Sequence, residues 1–122
     1  LKVLMAVLDK FHPLYQHYKY DNNVDYYRTL YLMNQVPLLD NEVLLLKEDP
    51  AIASPVGVVF YERYSEIGYV QQQLALHHED IQCVVSTDTQ IEASILPGTT
   101  QEPMPWDYAD GVDTIRFLME LA

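Results

Sequence analysis

Two apolar runs constrain this chain more than anything else in it. Val43-Leu44-Leu45-Leu46 and Val56-Gly57-Val58-Val59-Phe60-Tyr61 are separated by an acidic stretch containing Pro50 and Pro55. Runs of this length bounded by turn residues predict strands buried on both faces, which in turn require helices to cover them. The connection carries Lys47, Glu48 and Asp49. A buried sheet with charge on its connecting loop resembles a place where a scaffold presents charge to a ligand, but spacing alone favours an ordinary solvated turn.

The flanking segments supply the helices. Leu4, Leu8, Phe11, Tyr15 and Tyr18 recur at helical spacing, with Pro13 expected to kink the segment or start a second helix. Asn22 or Asn23 can cap another helix whose apolar face is Tyr27, Leu30, Tyr31 and Met33, and which must stop before Pro37. After the strands, Ser65 can cap a helix with Ile67, Val70, Leu74 and His78 on one face. Ile81–Ser86 reads as a short buried strand, Thr87-Asp88-Thr89 as a turn, and 90–96 as a weaker strand or helix. Three prolines and Gly98 make 97–105 irregular, and Asp110 or Asp113 can cap a last helix aligning Val112, Ile115, Leu118 and Ala122. The order of elements predicts an α/β fold, a layered sheet with flanking helices, with 1–122 forming a single domain or the C-terminal fragment of a larger catalytic domain.

Charge narrows the function. Eighteen acidic residues against seven Lys and Arg give a formal charge of −11, a field that repels phosphate backbones and offers no basic patch to anionic lipid. No stretch approaches the roughly 18 apolar residues of a membrane span. Lys2, Asp9 and Lys10 interrupt any secretory leader, and the single Cys83 fits a reducing compartment, so the expected location is cytoplasmic. The chain opens at Leu1 directly in a helical pattern, which suggests a piece of something longer. Six tyrosines between Tyr15 and Tyr31 suit amphipathic helix faces at a packed interface.

Catalytic patterns are scarce. Four scattered glycines form neither a dinucleotide fingerprint nor a P-loop. Cys83, between Gln82 and Val84, reads as a small buried thiol. His77 and His78 are adjacent and point about 100° apart on a helix, and His12 and His17 are five apart; no metal is expected. Glu48, Asp49 and His78 have the residue types for a small enzyme, with nothing further to recommend them.

Long blocks carry a resemblance. YDNNVDYYRTLYLMNQVPLLDNEVLLLKEDPAIASPVGVVFYERY, IQCVVS and WDYADGVDTIRFLMEL resemble the C-terminal portion of LuxC-type fatty acyl-CoA reductases, members of the aldehyde dehydrogenase superfamily. The likeness runs from about Tyr20 to the end, and DYADGVDT is its most distinctive part. It implies reduction of a long-chain acyl thioester to the aldehyde by NADPH through an acyl-cysteine. It also implies that this chain is the second half of the catalytic domain. The nucleophile and the Rossmann-like cofactor domain would then lie upstream, Cys83 would not be the nucleophile, and the fragment would be inactive alone and could share in oligomer contacts. In the wider superfamily a glutamate shortly before Gly-Pro-Val touches the cofactor ribose. Here Glu48 precedes Ser54-Pro55-Val56, at longer spacing and with serine for glycine, so Glu48 and, as a substitute, Asp49 are the implied cofactor-binding residues. Pro97–Pro103 departs from the family's Gly-Gln-Ala-Gln-like turn, whereas Trp106, Asp107, Tyr108 and Asp110 fit its pattern and read as a docking surface. The other reading is an acidic, non-enzymatic binding or scaffolding module that uses the tyrosine-rich helices as its partner surface.

Overall fold

The computed structural model describes residues 2–108 and 112–121. Its elements are α1 (Lys2–Leu8), a 3-10 helix (Asp9–Gln16), α2 (Tyr18–Met33), β1 (Leu39–Asp40), β2 (Leu45–Glu48), β3 (Val58–Tyr61), α3 (Ile67–Leu76) and α4 (Thr114–Glu120). The chain divides between Arg63 and Tyr64 into two compact units. The α/β expectation holds at the level of a small open three-stranded sheet with helices.

In the first unit Pro13 sits inside the 3-10 helix, and the chain breaks at His17 before α2 begins. Asn22 and Asn23 therefore lie within α2 rather than capping it, and Asn23 donates to the Lys19 carbonyl at 2.6 Å. The inward face of α2 is Tyr20, Val24, Tyr27 and Tyr31, one residue per turn, while Met33 is exposed. Sequence periodicity placed Tyr27 and Tyr31 on this face correctly but put Leu30 and Met33 there in place of Tyr20 and Val24, because apolar and aromatic residues occupy both sides of the helix. The helix stops before Pro37, as its sequence requires. Gln35 adopts a left-handed φ of 56°, letting Val36 N–H reach the Tyr31 carbonyl and Gln35 N–H the Leu32 carbonyl, a Schellman closure.

The sheet runs β1-β2-β3, with β1 antiparallel and β3 parallel to β2. β1 was not apparent in the sequence: two residues, Leu39 and Asp40, have no period to read. Leu45 and Leu46 are both buried, so β2 is covered on both faces, but β3 buries Val58 and leaves Val59 exposed. Residues 49–57 join the parallel pair without a helix, a short connection for such a crossover. It turns through Pro55-Val56-Gly57-Val58, where Val58 N–H donates to the Pro55 carbonyl at 3.0 Å and Gly57 has φ 79°.

Val24, Leu45 and Val58 form the core, edged by Tyr20, Tyr27, Tyr31 and Phe60. Gly57 is required twice over: its φ is left-handed, and a Cβ there would stand 2.5 Å from Val24 Cγ2. At the side, Arg28 clamps α2 to the hairpin. It pairs with Asp25, reaches Asp40 through Nε (2.6 Å) and Nη2 (3.2 Å), and donates to the Glu42 carbonyl at 3.0 Å. Burial alone would raise the Asp40 pKa; hydrogen bonds from Arg28 and the Glu42 N–H, together with the Arg28 charge, outweigh it and hold the carboxyl below its ordinary value.

In the second unit α3 is capped in position by Glu66, without a side-chain bond, so Ser65 does not serve as the cap. Ile67, Val70 and Leu74 are half-buried, and His78 falls beyond the helix end. The expected buried strand at 81–86 reduces to one parallel bridge, Val85 to Ile95, and Cys83 is exposed. Asp88 does turn the chain, accepting from Gln90 N–H at 2.9 Å, and 97–105 is irregular. Asp113 caps α4 by accepting from Arg116 N–H at 3.0 Å; Asp110 and Ala122 lie outside the described residues. Among the described residues of this unit none is fully buried.

Gly57→Ala is expected to cost roughly 1–2 kcal/mol for the left-handed φ and about 1–3 more for overpacking against Val24. Placed in a Val24→Ala background it should cost only the first part, as read by denaturant unfolding. Asp40 titrates lower when folded, so its contribution to stability is complete above its unfolded pKa, near 4, and fades as pH falls through the folded value. Asp40→Asn should therefore flatten the stability–pH profile below about pH 4, in unfolding curves collected down the acid limb.

Candidate functional site

The residues implied as cofactor ligands lie at the carboxyl ends of the parallel pair, where open α/β sheets bind their ligands. Glu48 closes β2 opposite Tyr61, the last residue of β3. The ladder continues one step further, with Asp49 N–H donating to the Tyr61 carbonyl at 3.2 Å. Side chains alternate, so Glu48 and Asp49 leave the sheet on opposite faces and have different fates.

Asp49 is consumed by its own turn. One oxygen takes the Lys47 ammonium and the other accepts from Ala51 N–H at 2.9 Å. Lys47's hydrogen bond first, then that of Ala51, hold its carboxyl below the ordinary value. Lys47 itself lies over two rings, 5.3 Å from the Tyr31 centroid and 5.0 Å from that of Phe60, so its stem packs while its charge is shared between aromatic faces and Asp49. No sequence pattern pointed to this cluster; it depends on α2 crossing β2 and β3 at that height.

Glu48 stays available. Its side chain is 57% exposed, with Arg63 Nε at 4.0 Å and the Tyr61 hydroxyl donating to Oε2 at 3.4 Å. With Val36, Pro37, Leu38, Leu39 and Tyr61 it lines a cleft of about 230 Å3. An apolar wall beside a carboxylate holding one long hydrogen bond suits a ligand with an apolar part and vicinal hydroxyls. Ser54 is committed elsewhere, its hydroxyl donating to the Val58 carbonyl at 2.8 Å.

The remaining candidates belong to the second unit. His77 stands 3.8 Å from Asp80, and His78 is exposed with Nδ1 3.2 Å from the Ala75 carbonyl. Among the described residues no three His, Cys, Asp or Glu side chains converge on a common point. Trp106 and Tyr108 are exposed, and Asp107 accepts from Met104 N–H at 2.8 Å, shaping a turn. Among the described residues no helix is long and apolar enough to cross a membrane.

No family model, no curated protein and no solved structure matches this chain.

Lys47→Met should keep the fold, since the methionine stem fills the space between Tyr31 and Phe60. The Asp49 pKa should then move up toward its ordinary value, in a carboxyl-carbon NMR titration. An unchanged Asp49 titration would mean that Lys47 does not hold it.

Proposed function

We propose that this chain is a C-terminal portion of a LuxC-type fatty acyl-CoA reductase, within the aldehyde dehydrogenase superfamily. The parent enzyme reduces a long-chain acyl thioester to the fatty aldehyde through an acyl-cysteine supplied by upstream residues. NADPH, when bound, supplies the hydride. In this reading Glu48 accepts hydrogen bonds from the cofactor ribose hydroxyls, Tyr61 and Arg63 orient its carboxylate, and Val36–Leu39 exclude water from one side. Asp49, with both oxygens already engaged, serves the turn instead.

The observation that carries the proposal is the coincidence of the resembling blocks with Glu48's place. The longest block spans α2 from Tyr20 onward and all three strands, and within it Glu48 stands at the carboxyl end of a parallel pair, facing an apolar cleft. The unburied second unit fits a segment that completes its packing against further polypeptide.

The acidic binding-module reading keeps one observation of its own. Residues 64–122 hold ten of the 18 acidic residues and a single Lys or Arg, Arg116. It loses another, because Tyr20, Tyr27 and Tyr31 turn toward the sheet and leave Tyr18 and Tyr26 exposed on α2.

The reading frame encoding this chain should continue upstream through a glycine-rich strand–turn–helix and a cysteine. Its full product should oxidise NADPH when given palmitoyl-CoA and release the aldehyde. Glu48→Gln in that product should raise KM for NADPH about tenfold, the equivalent of about 1.4 kcal/mol. A frame lacking those features, or a product without turnover, would leave the binding module as the better account. An active product indifferent to Glu48→Gln would keep the reductase and remove Glu48 from its site.

A further inference from the structure

The 3-10 helix sets its side chains in columns, because three residues complete a turn and positions i and i+3 eclipse. Two neighbouring columns follow from its sequence, Lys10-Pro13-Gln16 and Phe11-Leu14-His17. His17 N–H donates to the Leu14 carbonyl at 2.9 Å, which carries the same spacing up to the start of α2. These six residues line a cleft of about 370 Å3, within the size range of small-molecule sites. An α-helix would have spread them around its circumference at steps of about 100°.

The cleft has an apolar centre and polar ends. Phe11 and Leu14 remain 50% and 40% exposed, and with Pro13 they form a floor left open to solvent. Lys10, an ammonium with three donors, stands at one end of the columns, and Gln16 and His17 stand at the other. The local charge runs against the rest of the chain. Residues 10–20 hold Lys10, Lys19, His12 and His17 and no acidic residue, in a protein with 18 acidic residues against seven Lys and Arg. Among the described residues no carboxylate lines this cleft. The other clefts differ: Glu48 lines the one already described, Asp49 and Glu62 the recess beside β3, Asp25 the outer face of α2, and Glu92 the groove beside α3.

We propose that this cleft binds a small amphiphilic anion, an unbranched apolar chain ending in one carboxylate, with its head at Lys10 and its chain along Phe11, Pro13 and Leu14. A cationic amphiphile would gain the same apolar contact but meet the Lys10 ammonium, and a neutral one would gain the apolar contact alone. A polyanion such as a nucleic acid is opposed by the chain's charge of −11. A single anionic head answers mainly to the groups within about a Debye length of it. This inference does not depend on the reductase reading.

The test is a titration of the isotope-labelled chain with decanoate, followed through its backbone amide shifts by NMR. The expected result is a saturable set of shifts centred on Phe11, Leu14 and His17. Decyltrimethylammonium, with the same chain and the opposite head, should bind about fivefold more weakly or worse. Lys10→Glu should weaken decanoate by about fivefold or more, whereas Lys19→Glu, outside the cleft, should leave it unchanged. Should Lys10→Glu alter the circular dichroism spectrum, the two heads compared on the unaltered chain still decide. Shifts that do not saturate, or that centre on other residues, overturn the proposal, and so does equal binding of the two heads. Binding to anionic vesicles without binding to decanoate also overturns it and assigns this face to a lipid surface.

Discussion

The first unit depends on the contact between Val24 and Gly57. The valine methyl occupies the space where any other residue at 57 would place its Cβ, so α2 comes down directly onto the turn that launches β3. That approach sets the height of the helix above the sheet. It puts Tyr20 where its hydroxyl donates to the Val43 carbonyl at 2.7 Å, and Tyr31 where its ring lies under the Lys47 ammonium. Burial raises the Tyr20 pKa, which keeps its hydroxyl a donor through the physiological range. Arg28 then fixes the rotation of α2 about this contact by gripping Asp40 and the Glu42 carbonyl.

The site follows from the same geometry. Because the connection 49–57 turns back within nine residues, β2 and β3 run parallel and bring their carboxyl ends together. Alternation separates the two acidic residues there. Asp49 is drawn under the sheet edge to Lys47, and Glu48 is left facing the cleft walled by Val36–Leu39. One carboxylate serves the fold and its neighbour in sequence remains available to a ligand.

Much of this was legible in the residues, and what was not has identifiable causes. The apolar runs announced β2 and β3, Pro37 announced the end of α2, and Asp113 announced the start of α4. Of the face read for α2, Tyr27 and Tyr31 do turn inward, but Leu30 and Met33 do not; Tyr20 and Val24 take their place, because Val24's contact with the turn at Gly57 sets the rotation of the helix. The strand expected at 81–86 failed because no neighbouring strand forms beyond a single bridge, which left Cys83 exposed instead of buried. Arg28's partner Asp25 sits at helical spacing and could be read, but Asp40 reaches it only through the hairpin fold. The Lys47 cluster joins three elements and leaves no local signature at all.

The central claim is that this chain shapes a reductase's cofactor site while the nucleophile lies elsewhere in the polypeptide. The most direct measurement is to trap the acyl-enzyme formed from palmitoyl-CoA without NADPH, in the full product of the reading frame, and locate the adduct by peptide mass mapping. The account predicts one thioester, on a cysteine outside residues 1–122, with exposed Cys83 unmodified. An adduct on Cys83 would contradict it.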